Sequence, residues 1–207
     1  MLLAVRVTAA VTFSGWMDMT ASGTTYETRE WVGGLAQGMG DAFFRDDVGL
    51  SRLHAICAAD IYSGKLPINH PLISPLAAPP SLLARGLPPL LMVVGGSEQL
   101  LGGNLFFAQR AQAAGAKVQL EVFPEMWHDF EMSSDGCGAD HALGEGRTAY
   151  QLAANFFAPG GGGSGGCHVV CDNNLTDCSG LAPVRWHLHY NSLPPVQMDD
   201  DCPGSYT

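Results

Sequence analysis

Two side chains able to move a proton stand just beyond the two most strand-like runs of this 207-residue chain. Glu98 follows the apolar run at residues 90–94, and His128 follows the alternating run at residues 118–123. A carboxylate that orients an imidazole, with the imidazole acting as general base, is two-thirds of a nucleophilic hydrolase site. The remaining third would be a nucleophile with an oxyanion-binding segment. The chain has neither a G-x-S-x-G segment nor an HGGG-type segment. Gly95-Gly96-Ser97-Glu98-Gln99 falls short, because Gln stands at the last position and Ser97 abuts the acid. Ser14, in TFSGW, ends a strand with no helix pattern behind it. Neither serine is taken as the nucleophile.

The elements that carry Glu98 and His128 follow from apolar periodicity. Residues 90–94, Leu-Leu-Met-Val-Val, form an unbroken apolar run after a Pro pair, which suits a strand buried on both faces. Gly95 and Gly96 end it. A helix is expected next, with Asn104 as N-cap and Gly115 as the left-handed residue past its end. Leu105, Ala108, Ala111 and Gln112 fall at helical spacing between them. Val118, Leu120 and Val122 then alternate with Gln119, Glu121 and Phe123 up to Pro124, the pattern of a second strand. Strand, crossover helix and strand make a right-handed unit with parallel strands. Reacting groups in such sheets gather beyond the carboxyl ends of the strands, so Glu98 and His128 are expected at one rim.

Residues 70–130 resemble the C-terminal half of α/β-hydrolases of the hormone-sensitive-lipase type, the esterase and acetyl-hydrolase branch. The matching words are HPLISPL (70–76), GLPPLLMVVGGSEQLL (86–101), AQRAQAAGAKVQLEVFPEM (108–126) and WHDF (127–130). Upstream, VTFSGWMDMTASGTTY (11–26) looks like the strand and loop that follow the nucleophile helix in that family. The resemblance covers residues 7–157, and its words keep the family's order and spacing. It implies a partial α/β-hydrolase fold, an α/β class with a parallel sheet of about three strands and flanking helices. It also implies His128 as catalytic base, Glu98 as its acid, a small ester as substrate, and no cofactor or metal. The family's chain order, serine first, then acid, then histidine, places the serine upstream of Met1. Gly102 and Gly103 depart from the family, where acidic residues often follow the acid. The alternative to an ester hydrolase is an inactive fragment or truncated gene product with a binding or structural role.

The rest of the chain adds boundaries and exclusions. Ten Lys and Arg against twenty Asp and Glu give a net charge of −10, which argues against nucleic-acid or anionic-membrane surfaces. Residues 1–13 lack a basic start, carry Arg6 inside the apolar run and are too short to span a bilayer. No signal peptide or membrane span is expected, and a cytoplasmic location is favoured. Residues 7–13 read as a buried strand. Its nucleophile-strand neighbour is expected upstream of the chain, so self-association through an exposed sheet edge is expected. A helix is expected over residues 50–61, with His54 a structural residue. Trp16, Trp31, Phe43 and Phe44 could line a pocket or serve as core. His70, before Pro71, suits a local hydrogen bond in a loop, and His141 receives no role. Residues 147–157 read as a closing helix with Ala149, Leu152, Ala153, Phe156 and Phe157 on its apolar face.

Residues 1–158 therefore form the hydrolase-like portion, and 159–166, PGGGGSGG, a flexible linker. Residues 167–207 form an irregular, poorly ordered tail. Its Cys167, Cys171, Cys178 and Cys202, with His168, His187 and His189, fit no usual zinc spacing, and the four cysteines allow three disulfide pairings. Asn174-Leu175-Thr176 is a glycosylation sequon only for a secreted chain.

Overall fold

The computed structural model describes residues 7–28, 41, 59–135, 142–158, 166–171 and 174–177. In chain order its elements are β1 (Ala10–Phe13), α1 (Thr25–Thr28), α2 (Pro80–Gly86), β2 (Leu90–Gly95), α3 (Leu101–Ala113), β3 (Val118–Phe123), α4 (Gly144–Phe157), β4 (Gly166–Cys171) and β5 (Asn174–Asp177). Short 3-10 turns occupy Pro75–Ala77 and Phe130–Ser133, and residues 59–63 are helical. The expected helix at 50–61 otherwise lies outside the described residues, as do His54 and His141.

β2 forms the middle of a parallel trio, with β1 on one side and β3 on the other. All six residues of β2 are buried, as its unbroken apolar run requires when helices cover both faces. On one face Leu90, Met92 and Val94 pack with Val118, Leu120 and Val122 under Phe107, Ala108 and Ala111 of α3. On the other, Leu91 and Val93 pack with Phe123, Phe130 and the Ala149, Ala153 and Phe156 stripe of α4. Alternation along β2 and β3 thus feeds two cores rather than one core and solvent. Phe157, expected on the apolar face of α4, is instead 57% exposed, because it falls one residue past the stripe.

The crossover runs directly from β2 through α3 to β3, and Gly95 lies opposite Phe123 in the register. The end of α3 is a Schellman motif. Gly115, at φ 88°, gives its N–H to Gln112 O, and Ala116 gives its N–H to Ala111 O. The start departs from expectation. Asn104 is no N-cap: α3 begins a turn earlier, at Leu101, and Asn104 is buried inside it. Its amide donates to Gly15 O (2.7 Å) and Leu100 O (2.9 Å), fastening the segment after β1 to the helix. The tertiary acceptor at Gly15 gives Asn104 a use that local capping rules do not contain.

β1 is shorter than the expected 7–13 strand and only half-buried, with Val7 exposed outside it. Among the described residues it pairs with β2 alone. At the other side the sheet continues where an irregular tail was expected: β4 pairs parallel with β3, and β5 pairs antiparallel with β4. The tail beyond residue 177 lies outside the described residues.

Candidate active site at the carboxyl rim of the sheet

The rim is built by two loops that cross at unusually close range. A Cβ on Gly95 would collide with the Met126 carbonyl, and one on Gly96 would sit 3.1 Å from Pro124 Cα and 3.2 Å from Phe123 O. Glycine at these two positions lets the loop after β3 lie directly over the loop after β2. Gly96 N–H then donates to Phe123 O (2.6 Å) and Ser97 N–H to Met126 O (2.9 Å). With the loops locked together, Glu98 and His128 come within reach: His128 Nδ1 and Glu98 Oε2 are 3.3 Å apart.

Glu98 is wholly buried. Its Oε1 accepts from the Gly95 N–H and from the Ser14 hydroxyl (2.7 Å), leaving Oε2 for the imidazole. Burial pushes its pKa up from 4.5 to about 7, against the opposing pull of His128, Ser14 and Gly95. Burial lowers that of His128, but hydrogen bonds and charge from Asp129 and Glu98 outweigh it and raise the group from 6.5 to about 9. Both protonated forms are thus favoured: burial holds the proton on Glu98, and the two flanking acidic side chains hold one on His128. Asp129, the next residue, supplies the second clamp, with Oδ2 lying 3.2 Å from His128 Nε2. Asp129 has left-handed backbone (φ 54°), a conformation Asp tolerates better than most side chains, and this folds its carboxylate back onto the ring.

Three groups at this rim were not assigned roles from sequence. Ser14, considered only as a nucleophile, is a hydrogen-bonding bridge: its Oγ donates to Glu98 and accepts from the Asp129 N–H (3.0 Å). It stands at the carboxyl end of β1, and the same rim rule that selected Glu98 and His128 could have selected it. Asp129 adjoins His128, but its reach to Nε2 depends on the left-handed turn. Asp41 is fully buried and accepts from the backbone N–H groups of Gln99 (3.0 Å) and His128 (3.1 Å). Nothing local in its sequence marks it.

The other candidates fall elsewhere. His70 Nδ1 accepts from the Leu72 N–H (3.2 Å), the local bond expected of it. Trp16 donates to Asp18 O and packs beside Ala21, Tyr26 and Leu100, a core position. Trp31, Phe43 and Phe44 lie outside the described residues. Among the described residues no three His, Cys, Asp or Glu side chains converge as a metal site, and no helix is long and apolar enough to cross a membrane. A groove bordered by Val7, Thr8, Arg85, Leu87 and Pro89 lies at the opposite, amino end of the strands, away from the acid and histidine.

Residues 35–132 match the family model described as alpha/beta hydrolase fold. The chain is 31% identical over 149 residues to an acetyl-hydrolase of Streptomyces hygroscopicus, covering 72% of this chain and 42% of that protein. Over 47 residues it is 40% identical to an esterase of Acinetobacter venetianus, covering 23% of this chain and 16% of that protein. Among solved structures, an esterase from the bacterial hormone-sensitive lipase family superposes with a TM-score of 0.51 at 31% identity, over 69% of this chain and 40% of that one. An esterase/lipase from an uncultured bacterium gives a TM-score of 0.51 at 28% identity, over 69% of this chain and 39% of that one. The chain thus spans less than half the length of each.

Proposed function

Because this chain carries part of an α/β-hydrolase of the hormone-sensitive-lipase-like kind, we propose that it supplies the acid and the base of a carboxylic ester hydrolase. His128 is the general base and Glu98 the acid that orients it, with a serine outside this sequence as nucleophile. The observation that carries this reading is the buried Glu98 carboxylate at Nδ1 of a half-buried imidazole, on the rim where parallel sheets do their chemistry. In the reaction, the serine oxygen attacks the ester carbonyl while His128 Nε2 takes its proton. Glu98 keeps the other ring proton on Nδ1 and stabilises the imidazolium that forms. His128 then returns a proton to the departing alcohol, and water repeats the cycle on the acyl-enzyme.

For Nε2 to act, Asp129 must swing away from it. That contact favours a second reading, in which the pair is retained as a structural ion pair in a non-catalytic body. A chimera separates the two. Residues 7–158 replace the matching segment of the Streptomyces acetyl-hydrolase, and p-nitrophenyl acetate turnover is followed. The hydrolase reading expects turnover that falls about a thousandfold or more in the His128→Ala chimera. Turnover that survives His128→Ala, or a folded chimera with none, would favour the structural reading.

A further inference from the structure

We propose that Asp41 is a positioning residue whose carboxylate straps the loop bearing Glu98 to the loop bearing His128, and so sets the separation of the acid and the base. The inference rests on the acid–base reading of that pair and deepens it.

The strap has one oxygen on each loop. Asp41 Oδ2 accepts from the N–H of Gln99, the residue after the acid, and Oδ1 accepts from the N–H of His128 itself. The two donors belong to loops that leave neighbouring strands, 58 and 87 residues along the chain from Asp41. Asp41 is fully buried and Gln99 is 3% exposed, so water is a poor substitute acceptor there. The bonds between Gly96 and Phe123 and between Ser97 and Met126 already join the loops where they leave the strands. Asp41 joins them again farther out, at the residues that determine where the two side chains point.

An ionised carboxylate suits this place because it accepts at both oxygens and donates at neither. Asparagine would keep one acceptor and turn an N–H2 toward the other backbone N–H. Either the His128 backbone or the Gln99 backbone would then shift, and the 3.3 Å contact between His128 Nδ1 and Glu98 would open. Among the described residues, Glu98 at Nδ1, Asp129 at Nε2 and the more distant charge of Glu131 act on the ring, and all three are left intact by the substitution.

The experiment is ring-nitrogen NMR of His128 in the full chain, comparing wild type, Asp41→Asn, Asp41→Glu and Glu98→Gln, with circular dichroism as the control for folding. Expected in Asp41→Asn is loss of the slowly exchanging Nδ1 proton and a fall of about one unit or more in the His128 midpoint. Asp41→Glu keeps the charge but displaces it by one methylene, and is expected to weaken the same signal. A normal signal in folded Asp41→Asn overturns the proposal, and so does one lost in Asp41→Asn but fully kept in Asp41→Glu, which would make Asp41 a distant charge. Glu98→Gln separates the two claims. If it leaves His128 unchanged, the acid–base reading itself fails. If it alters His128 and Asp41→Asn does not, only the strap fails. Should Asp41→Asn not fold, amide exchange in wild type decides: joint protection of the Gln99 and His128 amides supports the strap, and rapid exchange of either overturns it.

Discussion

Replacing Glu98 by Gln preserves the shape of the side chain while removing its charge, and its consequence can be worked from the contacts. Oε1 of Glu98 is held by two donors, the Ser14 hydroxyl and the Gly95 N–H. A Gln side chain there keeps its oxygen toward those donors and presents its N–H2 to His128 Nδ1. That nitrogen must then accept, so the proton of the neutral ring moves to Nε2, the tautomer unable to take a proton from a nucleophile. The titration shifts as well. At the 3.3 Å separation and an effective dielectric of about 20, the charge pair contributes about 5 kcal/mol, a ceiling. Burial opposes the charged ring and Asp129 still holds Nε2, so the expected fall is about 1–3 units from the raised value of about 9. The assay is long-range ¹H–¹⁵N NMR of both ring nitrogens across the pH range. A midpoint unmoved by the substitution, or a neutral ring still protonated on Nδ1, would refute the reasoning.

The pH dependence of stability is a second test. Glu98 and His128 both hold protons more tightly folded than unfolded, so their contribution is complete below the unfolded values of 4.5 and 6.5. It is lost as pH rises through about 7 for Glu98 and about 9 for His128. The unfolding free energy of wild type minus that of a Glu98→Gln, His128→Gln double variant, from urea titrations, should decline over that window by at most about 3 kcal/mol for each group, and a flat or rising difference contradicts the assignment. Gly95→Ala should cost about 3 kcal/mol in urea unfolding, because its methyl would meet the Met126 backbone carbonyl, which cannot swing aside. A loss under about 0.5 kcal/mol would mean that the crossing of the two loops is not as tight as described.

The parts legible in sequence are those governed by short-range pattern. The unbroken run of β2, the alternation of β3 and Gly115 beyond α3 were each found where periodicity and turn chemistry put them, because burial on both faces and left-handed backbone impose local composition. The same rules misread Asn104, a good capping residue whose amide is used instead by Gly15 O, 89 residues away. They also extended β1 back to Val7 and turned Phe157 inward. Strand ends and the last turn of a helix are set by what neighbouring elements cover, and no window of sequence contains those neighbours.

Sequence alone determined the parallel β-α-β unit and the two residues, Glu98 and His128, that lie beyond its adjacent strands, because element order and apolar period fix which end of the sheet each loop leaves; the α/β-hydrolase architecture came from resemblance to a family. What surrounds those residues was decided by tertiary structure. Ser14 on Glu98, Asp41 across both loops and Asp129 folded onto Nε2 arise from chain crossings and a left-handed turn. The bonds of Ser14 and Asp41 join residues tens of positions apart, and that of Asp129 depends on a backbone turn, so none leaves a periodic trace. Only the close packing of two glycine-rimmed loops brings the donors and acceptors within 3 Å or so of one another.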